Sequence, residues 1–301
     1  MLTQKTFRPF LTLVFLFFCC VLTSLAIGQR RGEKIEGKPP KLEIGLELFK
    51  TKYLLREPIW ARFKVTNVGS EAGKFYFDNV DALVIKDSKG EVYPCSVYIE
   101  RFAITIKPEQ TLEKQSNILQ YYGTPENKFK IHRYLPPEKY SVYYELNHCV
   151  GSDSYRVKAK SKTHTFEISD PKGDELKAMN LLKESHDLFI EKKYNEAISA
   201  LNKIIEHYPK SVYAPYALLE VSSIYNLALE DSAKALEIYR RLINDFPNSG
   251  EAIARLSSLI YYYKTKPDKP GLITYLNDLI KKHPDTEVAK EAQKELAKLK
   301  E

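Results

Sequence analysis

Cys95, Cys149 and the histidines His132, His148 and His164 are the residues of this sequence best placed to do chemistry. A cysteine beside a histidine, as at His148-Cys149, is the minimum of a thiolate–imidazole pair. Neighbours on a strand point to opposite faces, however, so this pair cannot hydrogen-bond simply. In an oxidising compartment the two thiols favour a disulfide instead. Closing a loop of that length stabilises a fold by ~4 kcal/mol in the chain-entropy model. Cys95 and Cys149 are therefore a disulfide candidate. The three histidines fall at no CxxC or HxxxH spacing, so no zinc site is expected. No nucleophile elbow, zinc-protease motif or carboxylate pair at helical spacing appears. With 12 glycines in 301 residues there is no Gly-rich loop to cradle a phosphate. The expectation is a protein without catalytic, cofactor-binding or metal-binding residues, one that binds rather than transforms.

The elements that would position a binding surface divide the chain. Lys5 and Arg8 precede an apolar run from Phe10 to Ile27, and Ser24-Leu25-Ala26 and Ala26-Ile27-Gly28 offer small residues for a peptidase. Residues 1–28 read as a signal peptide, which implies export across the inner membrane to the periplasm or the outer surface. The competing reading is an uncleaved anchor that keeps the protein near the membrane. Residues 29–41, polar and ending in Pro39-Pro40, read as a flexible tether.

From 42 to 170 the hydrophobic period is two. Ile59, Ala61, Phe63 and Val65 alternate with polar neighbours, and so do Tyr140, Val142, Tyr144 and Leu146. That pattern means seven to nine short strands, each with one face in a core. Asp87-Ser88-Lys89-Gly90 is a turn between two of them. The 21 tyrosines include Tyr143-Tyr144, expected to place one ring inside and one outside. The stretches Arg56–Asn67, Ile106–Glu109 and Leu135–Tyr140 resemble bacterial immunoglobulin-like modules. The resemblance implies a two-sheet sandwich, with Tyr140 entering its strand as a tyrosine corner does. The Cys–Trp–Cys core of antibody domains is absent.

After Asp170-Pro171-Lys172-Gly173-Asp174 the period becomes helical. Three heptapeptides then repeat: Tyr208-Pro-Lys-Ser-Val-Tyr-Ala, Phe246-Pro-Asn-Ser-Gly-Glu-Ala and His283-Pro-Asp-Thr-Glu-Val-Ala. Their prolines Pro209, Pro247 and Pro284 are 38 and 37 residues apart, a period that marks stacked helical repeats. Each ring closes a helix, each proline ends it, and Ser211, Ser249 or Thr286 is expected to cap the next. Helices are expected over 176–190, 194–208, 211–229, 232–246, 249–264, 270–283 and 286–300.

Residues 175–301 resemble the tetratricopeptide repeat family, as three helix pairs and a capping helix. Ser185, Ser222 and Ser257 stand where that family has Gly or Ala, and Ala197 and Ala235 at its second-helix alanine. Glu184 departs from its usual Leu. The aromatic-Pro-x-Ser form is similar to envelope repeat proteins of Gram-negative bacteria. The resemblance implies that Asp187, Ser223, Asn226, Ser258 and Tyr262, on the first helix of each pair, face a groove that takes a protein or peptide.

Charge adds little. Residues 29–170 hold 24 Lys+Arg against 19 Asp+Glu, and 171–301 hold 20 against 20. An excess of that size is too dilute for nucleic acid. The fold expected is an immunoglobulin-like β-sandwich followed by an all-α repeat solenoid. The function expected is a non-enzymatic scaffold with the sandwich as a second contact surface. The alternative is a carbohydrate- or protease-binding module whose recognition unit is the sandwich.

Overall fold

The computed structural model describes residues 38–77, 82–93, 103–120, 122, 124–125, 133–150, 155–265 and 268–300. The expected signal peptide, residues 29–37 of the expected tether, Cys95 and His132 lie outside the described residues. The end of the tether belongs to the fold: Pro40 is buried against Gly73, and the Lys41 carbonyl accepts from the Val68 N–H at 2.8 Å. Among the described residues no helix is long and apolar enough to cross a membrane.

The strands are β1 (Leu42–Leu48), β2 (Lys52–Leu54), β3 (Trp60–Asn67), β4 (Gly73–Tyr76), β5 (Leu83–Lys86), β6 (Val92–Tyr93), β7 (Ala103–Ile106), β8 (Thr111–Asn117), β9 (Thr124–Pro125), β10 (Arg133–Tyr134), β11 (Lys139–Val150), β12 (Tyr155–Lys160) and β13 (His164–Ser169). More segments appear than the alternation predicts, because two- and three-residue strands are too short to show a period. Among the described residues one sheet runs β1-β3-β8, a second runs β2-β13-β11-β5-β6 with β12 beside the far half of β11, and β4-β7 and β9-β10 form two further two-stranded pairs. Phe63 of the first sheet meets Tyr144 of the second edge-on, with ring centroids 5.2 Å apart. The two sheets therefore face each other across a shared core. The alternation holds as read: Ile59, Ala61, Phe63 and Val65 are fully buried, as are Tyr140, Val142, Tyr144 and Leu146.

Side chains fix the turns. Tyr140 donates its hydroxyl to the Pro136 carbonyl at 2.7 Å, tying the strand to the turn before it. Asn67 is buried, donates to the Glu71 and Ile106 carbonyls, and accepts from the Gly69 N–H at 3.0 Å. Asp87 accepts the Lys89 and Glu91 N–H groups, and Gly90 takes the positive φ of 87° that this turn needs.

The helices are α1 (Gly173–Ile190), α2 (Tyr194–His207), α3 (Ala214–Ser223), α4 (Ser232–Asp245), α5 (Gly250–Thr265), α6 (Lys269–Lys282) and α7 (Glu287–Lys300). The expected 211–229 helix is different. It starts at Ala214 and passes at Ile224–Ala228 into a π-helical segment. Ser222 and Ser223 both donate to the Leu219 carbonyl, at 2.6 and 2.9 Å, and compete there with the regular backbone bond. A helix so weakened widens easily by one residue. The buried alanines Ala197 and Ala235 and the buried Leu272 sit at equivalent places in α2, α4 and α6. The residues group into two compact units that divide between Leu218 and Leu219, so α1 and α2 belong with the strands.

Candidate functional site

The three repeated heptapeptides have nearly one backbone. Tyr208, Phe246 and His283 end their helices at φ/ψ of −130°/52°, −132°/56° and −129°/55°. Their N–H groups donate to Ile204, Leu242 and Leu279, four residues back. Their carbonyls accept from Ser211, Ser249 and Thr286 at 2.9, 3.0 and 3.4 Å. Each is thus a four-residue turn with Pro209, Pro247 or Pro284 second, where its fixed φ fits and its missing N–H costs nothing.

What the hydroxyl residue does then differs. Ser249 Oγ accepts from the Ala252 N–H at 3.1 Å, and Thr286 Oγ1 from the Ala289 N–H at 3.3 Å. Both are N-caps, as expected. Ser211 does not cap in that way. Its Oγ accepts from the Tyr213 N–H at 3.2 Å and donates to Glu175 Oε2 at 2.6 Å. Glu175 also accepts from the Val212 N–H at 3.3 Å. The diversion delays the start of α3 to Ala214.

The diverted turn carries Tyr213 to the strands. Tyr213 is fully buried and donates its hydroxyl to the Leu55 carbonyl at 2.6 Å. Burial raises its pKa, helped by Glu57 and Glu175 and opposed by Arg56. Beside it, buried Glu57 pairs with Lys50 and accepts from the Leu54 N–H at 2.9 Å. Burial raises the Glu57 carboxyl, while the Lys50 bond pulls it back. Arg56, at φ 71°, lays its guanidinium over the Tyr134 ring at 5.0 Å. His186 of α1 is buried edge-on to Tyr216, with centroids 6.3 Å apart, and burial followed by the charge of Arg56 lowers its pKa to about 3. Its imidazole is therefore neutral across the physiological range. These groups form a polar joint between β2, the chain after it and the first helix pair. Sequence reasoning missed it. The available signal was Tyr213 itself, a ring where the other heptapeptides carry Glu251 and Val288.

The groove candidates are less alike than their spacing suggests. Asp187 is exposed on α1 and pairs with Lys183 at 2.6 Å. Ser223 donates to its own helix and accepts from Arg255 Nη2 at 3.2 Å. Asn226 accepts from Ser232, and Ser258 donates to the Ala254 carbonyl at 3.3 Å. Tyr262 is half-buried and edge-on to Tyr263, which stacks on Tyr275 at 5.9 Å. Burial pushes the Tyr275 hydroxyl up to about 12. The structure joins Ser223 to a seam that the spacing did not reveal, in which buried Arg255 also covers the Tyr239 ring at 4.9 Å. Of the small repeat positions, Ser185 and Ser222 are buried and Ser257 is half-buried, each donating to a carbonyl three or four residues back. Cys149 is half-buried and has no disulfide partner among the described residues, its expected partner Cys95 lying outside them. Among the described residues no group of three or more His, Cys, Asp or Glu is placed to hold a metal ion.

Residues 176–211 and 216–249 match the tetratricopeptide repeat family. A comparison with curated protein sequences gave no match. Among solved structures the chain is similar to the CARDB domain of the PF1109 protein from Pyrococcus furiosus, at 10% identity and a TM-score of 0.26, covering 45% of this chain and 99% of that one. It is also similar to a beta-glucosidase from Listeria innocua, at 11% identity and a TM-score of 0.25, covering 43% of this chain and 16% of that one. A third is the Pseudomonas fluorescens alkylpurine DNA glycosylase AlkC, at 16% identity and a TM-score of 0.24, covering 43% of this chain and 30% of that one. Likenesses this slight carry no weight for fold or activity.

Proposed function

We propose that this protein is a non-enzymatic scaffold, exported to the periplasm or the outer surface, that holds a protein or peptide through its repeats. Tetratricopeptide repeats are generally protein–protein interaction modules, and residues 176–249 contain two of them. That match, with the same turn geometry recurring at a third repeat, is the observation that carries the reading. Each helix pair offers the side chains of its first helix, a surface that suits a protein or peptide segment better than a small molecule. The strand domain is the second contact surface. Its sheet order and the Tyr140 bond to Pro136 support an immunoglobulin-like reading of that domain.

The test is capture by the full chain. A crosslinker placed at Tyr262 and at Ser258 is expected to trap the same protein from an envelope extract. A charge reversal at Asp187 is expected to weaken that capture severalfold. If crosslinks from the repeats trap nothing, while the chain binds a glycan array or inhibits a protease, the strand-domain alternative replaces this reading. Export is tested separately, by fractionation and by the N-terminal mass, which cleavage after Ala26 or Gly28 would fix.

A further inference from the structure

The outer face of the larger sheet concentrates charge. Tyr144 points inward to Phe63, so its neighbours Lys139, Ser141, Tyr143, Glu145 and Asn147 on β11 point out. Residues opposite one another in a ladder share a face. Register therefore adds Lys86 opposite Ser141, Lys160 opposite Glu145, Lys158 opposite Asn147, Arg156 opposite Cys149, and Glu167 between Lys139 and Lys52. This face holds six cations and two carboxylates, a net +4. Residues 29–170, with 24 Lys+Arg and 19 Asp+Glu, carry +5 in all. A charge excess that is dilute along the sequence is thus locally dense on this face.

That surface is not neutralised from within. Lys52, Lys86, Lys139 and Lys158 make no ion pair among the described residues, and only Lys160 reaches a carboxylate, Glu145 at 3.8 Å. Tyr143 sits at the centre, half-buried, with Lys160 Nζ 3.7 Å and Lys86 Nζ 6.0 Å from its ring centre. The ring orders the two ammonium groups above the sheet.

We infer that this face docks an acidic, extended protein segment. The inference rests on the reading of the strand domain as a second contact surface. Alternate residues on a strand repeat at ~6.7 Å, and carboxylates at alternate positions of an extended peptide repeat at the same distance. Arg156, Lys158 and Lys160 therefore match such a segment in step. Glu145 and Glu167 disfavour a uniformly charged polyanion, which would meet both, while Ser141 and Thr165 offer hydrogen bonds to a peptide, and Arg156 donates to Asn147 Oδ1 at 3.0 Å, which holds its guanidinium on this face. A planar lipid surface would want apolar side chains to insert, and Val92 is the one large exposed apolar residue on these strands.

The probe is a fluorescein-labelled peptide of alternating Glu and Thr, as long as the 12-residue β11, titrated with the full chain at low and physiological salt. Binding that weakens with salt is expected. The triple substitution Arg156→Gln, Lys158→Gln, Lys160→Gln is expected to weaken it by about tenfold. Lys203→Gln with Lys281→Gln, on exposed helix faces, should leave it unchanged. Circular dichroism checks that the variants fold, and the single Lys158→Gln, expected to weaken binding by about twofold, serves if the triple variant does not. No binding, equal binding by the triple variant, or tighter binding of sulfated glycan or phosphatidylglycerol vesicles than of the peptide overturns the inference. A triple variant that still crosslinks its partner through Tyr262 leaves the scaffold reading standing, so the two fail separately.

Discussion

Two turns of the same backbone do different jobs in this molecule. At Phe246-Pro247-Asn248-Ser249 the serine hydroxyl caps the helix that follows, and the turn serves the repeat array alone. At Tyr208-Pro209-Lys210-Ser211 the serine is taken by Glu175, and the helix starts late so that Tyr213 can reach the Leu55 carbonyl. The repeated positions set the chain path in both. The unrepeated ones decide what the path is for. A repeat unit gains stability mainly from its neighbours in the stack. The first pair has strands as a neighbour, and its sixth heptapeptide position is a buried aromatic in consequence.

That contrast is most sharply broken at Tyr213. Tyr213→Ala removes a buried ring and a hydrogen bond, and is expected to cost ~3–5 kcal/mol. Trp60 is the sole tryptophan and lies on β3, so its fluorescence reports the unit that contains this turn. The urea midpoint followed by fluorescence should fall steeply. Val288→Ala, at the same heptapeptide position of the last turn, should cost ~1.5 kcal/mol and leave the fluorescence midpoint nearly unmoved.

Acid is the second lever. His186 has a folded pKa of about 3 against 6.5 when free, so the unfolded chain binds a proton that the folded chain refuses. The stability from this group is whole above pH ~6.5 and is lost as pH falls from there toward 3. By pH 4.5 the loss is ~2–3 kcal/mol. Glu57 works the other way, since its raised carboxyl takes up a proton earlier in the folded state. The difference between wild type and His186→Leu isolates the histidine. An equal pH dependence in both proteins would show that His186 is not held neutral by the joint.

The serine pair comes third. Ser211→Ala breaks a bond to a carboxylate and is expected to cost ~1.5–3 kcal/mol. Ser249→Ala removes an ordinary N-cap worth ~1 kcal/mol. Denaturant titrations that reversed the order would remove the distinction drawn here between the two turns.

These sizes also explain what was legible beforehand. Period-two alternation located the faces of β3 and β11, because burial of one face leaves a mark at every second residue. The aromatic-Pro-x-Ser/Thr signature located three helix ends, because a proline and a capping hydroxyl act on the backbone next to them. The joint was not legible: Leu55 and Tyr213 are 158 residues apart, and nothing local in Arg56-Glu57 says that a helix will cover it. The π segment was hidden for a related reason. Ser222 reads as a small residue at a packing position and Ser223 as a groove residue, and their hydroxyls act on the backbone only once the helix exists. Of the groove candidates, spacing found the helix but not the state of the side chain. Ser223 and Ser258 donate within their own helices, and Arg255, the residue that crosses from α5 to α3, was outside the pattern.

The smallest effect tests whether the later turns are as interchangeable as their backbones suggest. Asn248 Oδ1 accepts from the Glu287 N–H at 3.1 Å, while the Pro247 carbonyl accepts from the Val288 N–H at 3.1 Å. This turn thus satisfies two of the donors that the start of α7 leaves open. The first turn carries Lys210 at the same position, exposed. Asn248→Lys is therefore expected to cost ~1 kcal/mol, one backbone hydrogen bond, and to raise exchange of the Glu287 amide before that of Val288. Lys210→Asn should change neither stability nor exchange. If the two substitutions are equally silent, the third position of the turn is free in every repeat, and the contrast between the turns reduces to the serine and to Tyr213.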